Sequence, residues 1–267
     1  MRPADGAVRA ASRLSGTVLV RRPSGRLAEG IVTHVSRSPV DVALAQAQHA
    51  AYAEALAANG WAVQHVPTAE DCPDSVFVED TVVVCEDLAV LTRPGMPARR
   101  AEVAGVAQAV QALGLRTARI TGPGVLDGGD VLQVGNTVYV GRGGRTDGEG
   151  IRQLRRLLAP LGRRLVAVPL GKVLHLKSAV TALPDGTFLV LPGLVPAELF
   201  PAVRPVAEAG GSRVVLLGGD RVLIAASAPR TAKLLDDLGF TPVVVDVSEF
   251  EKLEGCVTCL GVLLPGR

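Results

Sequence analysis

Two cysteines stand three apart near the C-terminus of this 267-residue chain, in Leu253-Glu254-Gly255-Cys256-Val257-Thr258-Cys259-Leu260. Such a pair can clip a metal, cycle between dithiol and disulfide, or supply one nucleophile. A structural zinc site wants four ligands, commonly from two pairs, and Cys72 and Cys85 do not resemble a second clip. A thioredoxin-like pair opens a helix, whereas a strand-like run follows here. Strand alternation predicts Cys256 and Thr258 on one face and Val257 and Cys259 on the other. The thiols are then expected on opposite faces, which disfavours both clip and redox pair. A single nucleophile, or two small buried apolar side chains, are the readings that remain.

A nucleophilic thiol needs an acid or base partner. Of the four histidines, His34, His49 and His65 show no pattern that assigns them a role. His175 lies in "GKVLHLKSAV", a connection entering a hairpin, where it can serve as that partner or as a satisfied core histidine. In "VLDGGDVLQV", Asp127 and Asp130 bracket two glycines that let the backbone turn tightly and approach a ligand closely. In "DCPDSVFVEDTVVV", Asp71, Asp74, Glu79 and Asp80 crowd ten residues. They repel one another unless a cation joins them, so the segment is either a solvated acidic loop or a cation pocket.

The elements that must position these residues repeat along the chain. Strand pairs are predicted at Thr81 to Gly95, Asp130 to Gly143 and Ser178 to Gly193, each with turn residues at its centre. Helices are predicted at Asp41 to Asn59, Pro97 to Leu113, Asp147 to Leu161, Val195 to Glu208 and Ser227 to Leu238. Further strands fall near Arg119 and at "RLVAVPL", "RVVLL" and "PVVVDV". The first unit, "GTVLVRRP", has one strand, so "VTCLGVLL" is expected to complete it and close a ring. "GGD" recurs at Gly128 to Asp130 and Gly218 to Asp220, places that look equivalent. The strand pairs sit too close for parallel crossovers, which favours five ββαβ-like units around a pseudo-axis over an open α/β sheet.

Composition narrows the class. Apolar residues make up 48%, supplied by Val, Leu and Ala, with aromatics at 3%. No run approaches the roughly 20 apolar residues that cross a bilayer. The formal net charge is +2, with 28 basic and 26 acidic side chains scattered along the chain. No basic block suited to a phosphate backbone is present, so neither a nucleic-acid nor a membrane partner is expected. Residues 1–12 read as a disordered lead-in without a signal-peptide core, and 13–267 as one catalytic domain. A cytoplasmic, reducing environment is the expectation.

Together, "PDSVFVEDTVVVCEDLAVLTRPGMPARR", "LDGGDVL", "GRGGRT", "LHLKS" and the terminal "CVTC" resemble the dimethylarginine dimethylaminohydrolases of the guanidine-modifying pentein superfamily. The resemblance runs from "VLVRRP" to "TCLGVLL" and implies a five-bladed ββαβ propeller with pseudo-five-fold symmetry. It implies Cys259 as nucleophile, His175 as general acid and base, and Asp127 as the catalytic acid beside it. Asp80 matches the carboxylate that grips the guanidinium, together with Asp127, and Asp74 and Glu79 match further substrate-binding acids. Arg99 and Arg145 match groups on the substrate α-carboxylate, Leu27 a lid residue, and Leu253 a backbone carbonyl at the α-amino end. Glu254 stands where an Asp is common.

The implied reaction converts N-omega-methylated arginines to citrulline and a methylamine through a covalent S-alkylthiouronium, with no metal or organic cofactor. The implied partner is that small-molecule substrate, in a monomer or homodimer. Arginine deiminase, usually longer and carrying His-x-Asp where this chain has His175-Leu176-Lys177, is the nearest alternative. A non-catalytic, ribosome-binding propeller and a zinc-binding redox protein are the others.

Overall fold

The computed structural model describes residues 16–266; the expected lead-in at 1–12 lies outside them. In chain order, β1 (Gly16–Val20) and β2 (Trp61–His65) share one sheet, and β3 (Val82–Cys85), β4 (Leu88–Leu91) and β5 (Arg116–Arg119) form the next. Then come β6 (Val131–Val134), β7 (Thr137–Arg142) and β8 (Arg164–Pro169), followed by β9 (Val180–Ala182), β10 (Phe188–Val190) and β11 (Val203–Pro205). The fifth trio is β12 (Val214–Gly218), β13 (Arg221–Ala225) and β14 (Thr241–Val245), and β15 (Gly261–Pro265) returns to pair antiparallel with β1. Every sheet repeats one plan: an antiparallel pair, then a parallel third strand. The result is the five-bladed propeller that the repeat suggested, closed by joining the two ends of the described chain.

Helices bridge the parallel pairs. α1 (Val42–Ala58) is capped by Asp41, whose carboxylate accepts from the Leu44 N–H, satisfying one of the donors left free at a helix start. Pro97 opens a 3-10 turn at Pro97–Glu102 that runs into α2 (Val103–Ala112). α3 (Gly148–Leu158) is capped by Asp147, and α4 (Pro229–Asp237) begins at its proline. Ser227, the first residue of the helix expected there, does not cap it; its hydroxyl donates to Glu251. A short α5 (Ser248–Glu251) packs against α1.

Three expectations are corrected. The stretch from Val195 to Glu208 is not a helix but a 3-10 turn at Ala197–Leu199 followed by β11. Pro196, Pro201 and Pro205 lie within it, and a proline removes an N–H and clashes with the preceding turn of a helix. "RVVLL" therefore opens the fifth trio as β12 rather than closing the fourth. The two "GGD" segments are not equivalent either. Gly128–Asp130 is a 3-10 turn before β6, whereas Gly218 and Gly219, with φ of 106° and 62°, make the β12–β13 hairpin turn.

β3, β6, β9, β12 and β15 surround a central channel of about 490 Å³, walled mainly by Val and Leu. Each of these five inner strands is entered through a tight turn: Val78–Thr81, Gly128–Asp130, Leu176–Ser178, Ala209–Ser212, and a turn over 256–260. Those turns position the candidate site.

Candidate active site

Four of the five turns carry the reactive residues. Asp80 lies within the first, Asp127 and His175 immediately precede the second and third, and Cys259 lies in the turn before β15. Asp80, His175 and Cys259 line one small cavity with Asp74, Arg99, Arg145, Ile31 and Leu253. Its volume, about 20 Å³, suits roughly one water molecule. Gly129 makes the convergence possible. A Cβ there would stand 2.7 Å from both Asp80 Oδ1 and His175 Nδ1, closer than any side chain tolerates.

His175 Nε2 is 3.0 Å from Asp127 Oδ2, and its Nδ1 is 3.7 Å from Asp80 Oδ1. Burial opposes the imidazolium, but the field of Asp80 and the hydrogen bond to Asp127 outweigh it and push His175 up to about 9. The ring therefore holds a proton at neutral pH. Burial likewise opposes Asp80, yet His175, Arg99 and the Gly129 N–H bring it down to about 2.

A layer behind the ring holds it in place. Asp130 accepts from the Thr146 hydroxyl at 2.6 Å and from the Leu176 N–H at 2.9 Å, and Thr146 Oγ1 accepts from the Asp127 N–H at 3.1 Å. Burial pushes Asp130 up to about 6 against the pull of His175. Thr146 escaped the sequence reading, although it adjoins Arg145 in the quoted "GRGGRT".

The cysteine turn overturns the alternation argument. β15 begins only at Gly261; residues 256–260 turn, with the Cys259 N–H donating to the Cys256 carbonyl at 3.1 Å. The two sulfurs consequently face each other, Sγ to Sγ at 3.1 Å. Gly255 admits Phe77, whose ring would lie 2.2 Å from an added Cβ, and Tyr52 donates to the Val257 carbonyl at 3.0 Å. The Cys256 sulfur, burial, and the charges of Glu79 and Asp80 hold the Cys259 thiol well above the ordinary range. It rests as a thiol.

The acids divide into two groups. Asp74 faces the cavity and accepts from the Ile31 N–H at 3.0 Å, with burial raising its carboxyl. Glu79 does not face the cavity. It lines the central channel, pairs with Lys177 at 2.5 Å, and is pushed by burial up to about 8 against the pull of that lysine. Asp127 is also set back: Oδ1 accepts from the Gly95 N–H at 2.8 Å and Oδ2 meets His175. The expectation that Asp127 grips the guanidinium alongside Asp80 gives way to an orienting contact with His175.

Arg99 differs from expectation as well. Its Nε and Nη2 bind Glu102, Nη2 also donates to the Phe77 carbonyl, and Nη1 donates to Asp80 at 2.6 Å. Of the five guanidinium hydrogens, one on Nη1 remains for a substrate carboxylate. Burial disfavours its charge, but Glu102 and Asp80 keep it firmly protonated.

Leu27 is fully buried in the core that holds Phe250 and Leu253, and Ile31 of the same loop reaches the cavity instead. Glu254, at a left-handed φ of 65°, ties that loop down. Its carboxylate accepts from the Thr33 N–H at 2.9 Å, from the Thr33 hydroxyl and from the His34 N–H. Sequence alone gave no signal for Ile31 or Glu102; Glu254 showed only as a departure from Asp.

Among the described residues, Asp80, Asp127 and His175 bring ligand atoms within 4.8 Å of one another. Arg99 already balances Asp80, and a metal there would have to displace the proton on His175.

No family model matches the chain. Over 254 residues, 94% of this chain and 97% of the relative, it is 61% identical to an N(G),N(G)-dimethylarginine dimethylaminohydrolase of Streptomyces coelicolor. A dimethylarginine dimethylaminohydrolase histidine-to-glycine variant, solved as its adduct with S-methyl-L-thiocitrulline, aligns with a TM-score of 0.89 at 32% identity, over 94% of this chain and 100% of its own. The Pseudomonas aeruginosa enzyme, solved as a cysteine-to-serine mutant complexed with citrulline, aligns at 0.87 and 31%, with the same coverage. This chain therefore belongs to the dimethylarginine dimethylaminohydrolase family.

Proposed function

We propose that the protein hydrolyses N-omega-methylated arginines to citrulline and dimethylamine or methylamine. The observation that carries this reading is one cavity lined by a thiol, a protonated imidazole and three carboxylates, Asp74, Asp80 and Glu254. A guanidinium is a poor electrophile because resonance spreads its charge, so it must be held and oriented. Asp80 and Asp74 supply the anionic surface, and Arg145 with the last Nη1–H of Arg99 takes the α-carboxylate. In this reading the Leu253 backbone carbonyl takes the α-amino end, in keeping with the place of Leu253 in the cavity wall.

The arriving cation lowers the Cys259 pKa, and the thiol proton passes to solvent, where it is later taken up by the free amine. The thiolate then bonds to the central carbon. His175 delivers its proton to the nitrogen that leaves as the amine, which breaks the C–N bond and leaves an S-alkylthiouronium. The now neutral His175 takes a proton from water, whose oxygen adds to the same carbon. Expulsion of the thiolate, which takes up the remaining hydroxyl proton, gives citrulline and restores the Cys259 thiol. Asp127 holds the ring in place throughout. Because the closed cavity is far smaller than an arginine, the Ile31 loop must swing aside for entry.

The site draws on turns from four blades, which supports the described chain acting as one catalytic domain. A small-molecule substrate is its partner, with no nucleic acid or membrane, in a monomer or homodimer. No helix among the described residues is long and apolar enough to cross a membrane. We infer cytoplasmic residence, in keeping with the four free cysteines.

Incubation with asymmetric dimethylarginine, monomethylarginine, arginine and agmatine tests the reading. Unmethylated arginine brings five N–H donors, and each donor buried without a partner costs roughly 1–3 kcal/mol. A buried methyl contributes about 0.8 kcal/mol. Methylated substrates should lead by roughly 30- to 1,000-fold in kcat/KM. Agmatine, without a carboxylate for Arg145, should be poor. Arginine equal to or better than the methylated forms would make the chain a deiminase.

A further inference from the structure

We propose that Cys256 and Cys259 form a site of reversible oxidation, at which a peroxide converts the pair to a disulfide and silences the nucleophile. The inference rests on the Cys259 nucleophile reading and adds a regulatory chemistry to the same residue. Three features of the structure support it. The sulfurs face each other at 3.1 Å. The backbone bond from the Cys259 N–H to the Cys256 carbonyl closes a four-residue turn. Such a turn keeps its first and last Cα atoms within about 7 Å, and disulfides bridge Cα atoms about 4.4–6.8 Å apart. A bridge therefore needs only small side-chain rotations.

Access and reactivity come from the same geometry. Cys256 is sealed in the core, whereas Cys259 lines the cavity that opens to substrate, so a small peroxide reaches it by the same entry as the Ile31 loop moves aside. Because the thiols hydrogen-bond to each other, loss of one proton from the pair leaves a thiolate stabilised by the remaining S–H, and thiolate is the form that peroxide attacks. Accepting from the Cys259 S–H lowers Cys256, assisted by Arg213, and transfer of that proton across the 3.1 Å contact leaves the thiolate on Cys259, the sulfur that peroxide reaches. Cys72 packs near Arg21 and Glu102, and Cys85 belongs to a separate core, so neither shares this arrangement.

The steps balance with hydrogen peroxide as oxidant. A thiolate sulfur takes one peroxide oxygen as the O–O bond breaks, giving a sulfenic acid and hydroxide. The second thiol attacks that sulfur, forms the S–S bond and expels the hydroxyl. The hydroxyl leaves as water with the proton of the attacking thiol. Two thiols are oxidised, one peroxide is reduced, and two waters form in all. Without a second thiol, the sulfenic acid continues to a sulfinic acid that ordinary reductants do not reverse.

The test treats the reduced full chain with hydrogen peroxide, with Cys256→Ser and Cys256→Ala in parallel. Peptide mass mapping and activity are read before and after dithiothreitol. In the unmodified chain, the peptide holding both cysteines should lose two hydrogens, activity should fall at least about tenfold, and dithiothreitol should restore it to within about twofold. In the variants, Cys259 should gain two oxygens and activity should stay lost. A bridge mapping elsewhere, or Cys259 gaining oxygens equally fast with and without Cys256, overturns the proposal. If neither variant folds, the peptide map of the unmodified chain decides alone. The mass reading is independent of turnover, so an error in the proposed substrate would leave it intact.

Discussion

His175 and Glu208 occupy the same place in successive blades, each just before the turn that enters an inner strand. Their backbones match: φ and ψ are −137° and 162° at His175, −105° and 137° at Glu208, and Asp127 one blade earlier has −103° and 140°. The side chains go to different work. His175 points inward to Asp127 and Asp80, buried and charged. Glu208 points outward to α4, accepting from the Arg230 N–H at 3.0 Å, the Thr231 N–H at 2.8 Å and the Thr231 hydroxyl at 2.9 Å. The Ala209–Ser212 turn is itself welded to its neighbour, with Ser212 donating to the Ser178 carbonyl and accepting from Thr181. The propeller thus supplies five similar turns, and side chains decide which become chemistry and which become structure.

The contrast is sharpest in turnover. Cys259→Ser should lower kcat by roughly 1,000-fold or more, because a serine alkoxide forms far less readily than a thiolate. His175→Ala should do comparable damage, and substrate should then leave a mass adduct on Cys259 where attack precedes the proton transfer. Glu208→Ala should leave kcat/KM within about twofold. Steady-state kinetics on the three purified variants, with circular dichroism to verify folding, would break the comparison if Glu208→Ala were as inactive as His175→Ala.

Much of this was legible in the residues. The β-branched pairs around Glu86-Asp87, Gly135-Asn136 and Pro184-Asp185-Gly186 became hairpins, and the unpaired "GTVLV" found its partner in the last strand. Asp74, Asp80, Arg99, Arg145, His175, Leu253 and Cys259 came to one cavity. The helix expected at Val195 to Glu208 failed for a local reason, its three prolines; the other failures share a cause, that a local pattern does not carry its tertiary setting. Alternation placed the two thiols apart because it assumed a strand where Gly255 and Phe77 enforce a turn. Gly218-Gly219-Asp220 looked like Gly128-Gly129-Asp130, yet positive φ makes one a hairpin tip and close approach to His175 and Asp80 explains the other. Counting carboxylates near a motif could not tell that Lys177 holds Glu79 below the site, or that Gly95 and His175 occupy Asp127.

The two residues should also differ in how pH acts on stability. The folded state raises His175 from 6.5 to about 9. Its contribution is fully present below pH ~6.5, where it is charged in both states, and drains away as pH rises through about 9. The size is on the order of 3 kcal/mol. Urea unfolding of the unmodified chain and His175→Gln at pH 6 and pH 10 should show the stability gap shrinking at the higher pH. A gap that held constant or widened would mean that the ring is neutral in the folded protein.

For Glu208 the sign reverses. Burial would raise it, but the Arg230 and Thr231 N–H groups prevail and hold it below its ordinary value. Its stabilisation is present above pH ~4.5 and fades as pH falls further. Those two N–H groups are among the donors that a helix start leaves unpaired, and Ala228, at the cap position, has no side-chain acceptor to offer. Glu208 acts as a cap supplied from the preceding turn, and its negative charge also suits the positive end of α4. Losing it should cost about 1 kcal/mol, the usual loss for a missing cap, or roughly 2–4 °C in Tm. Thermal unfolding of Glu208→Ala and Glu208→Gln at pH 7 measures this, with Gln keeping an acceptor oxygen and losing less. If both variants unfolded like the unmodified chain, α4 would not depend on this turn, and the acid before Ala209–Ser212 would need a different reason.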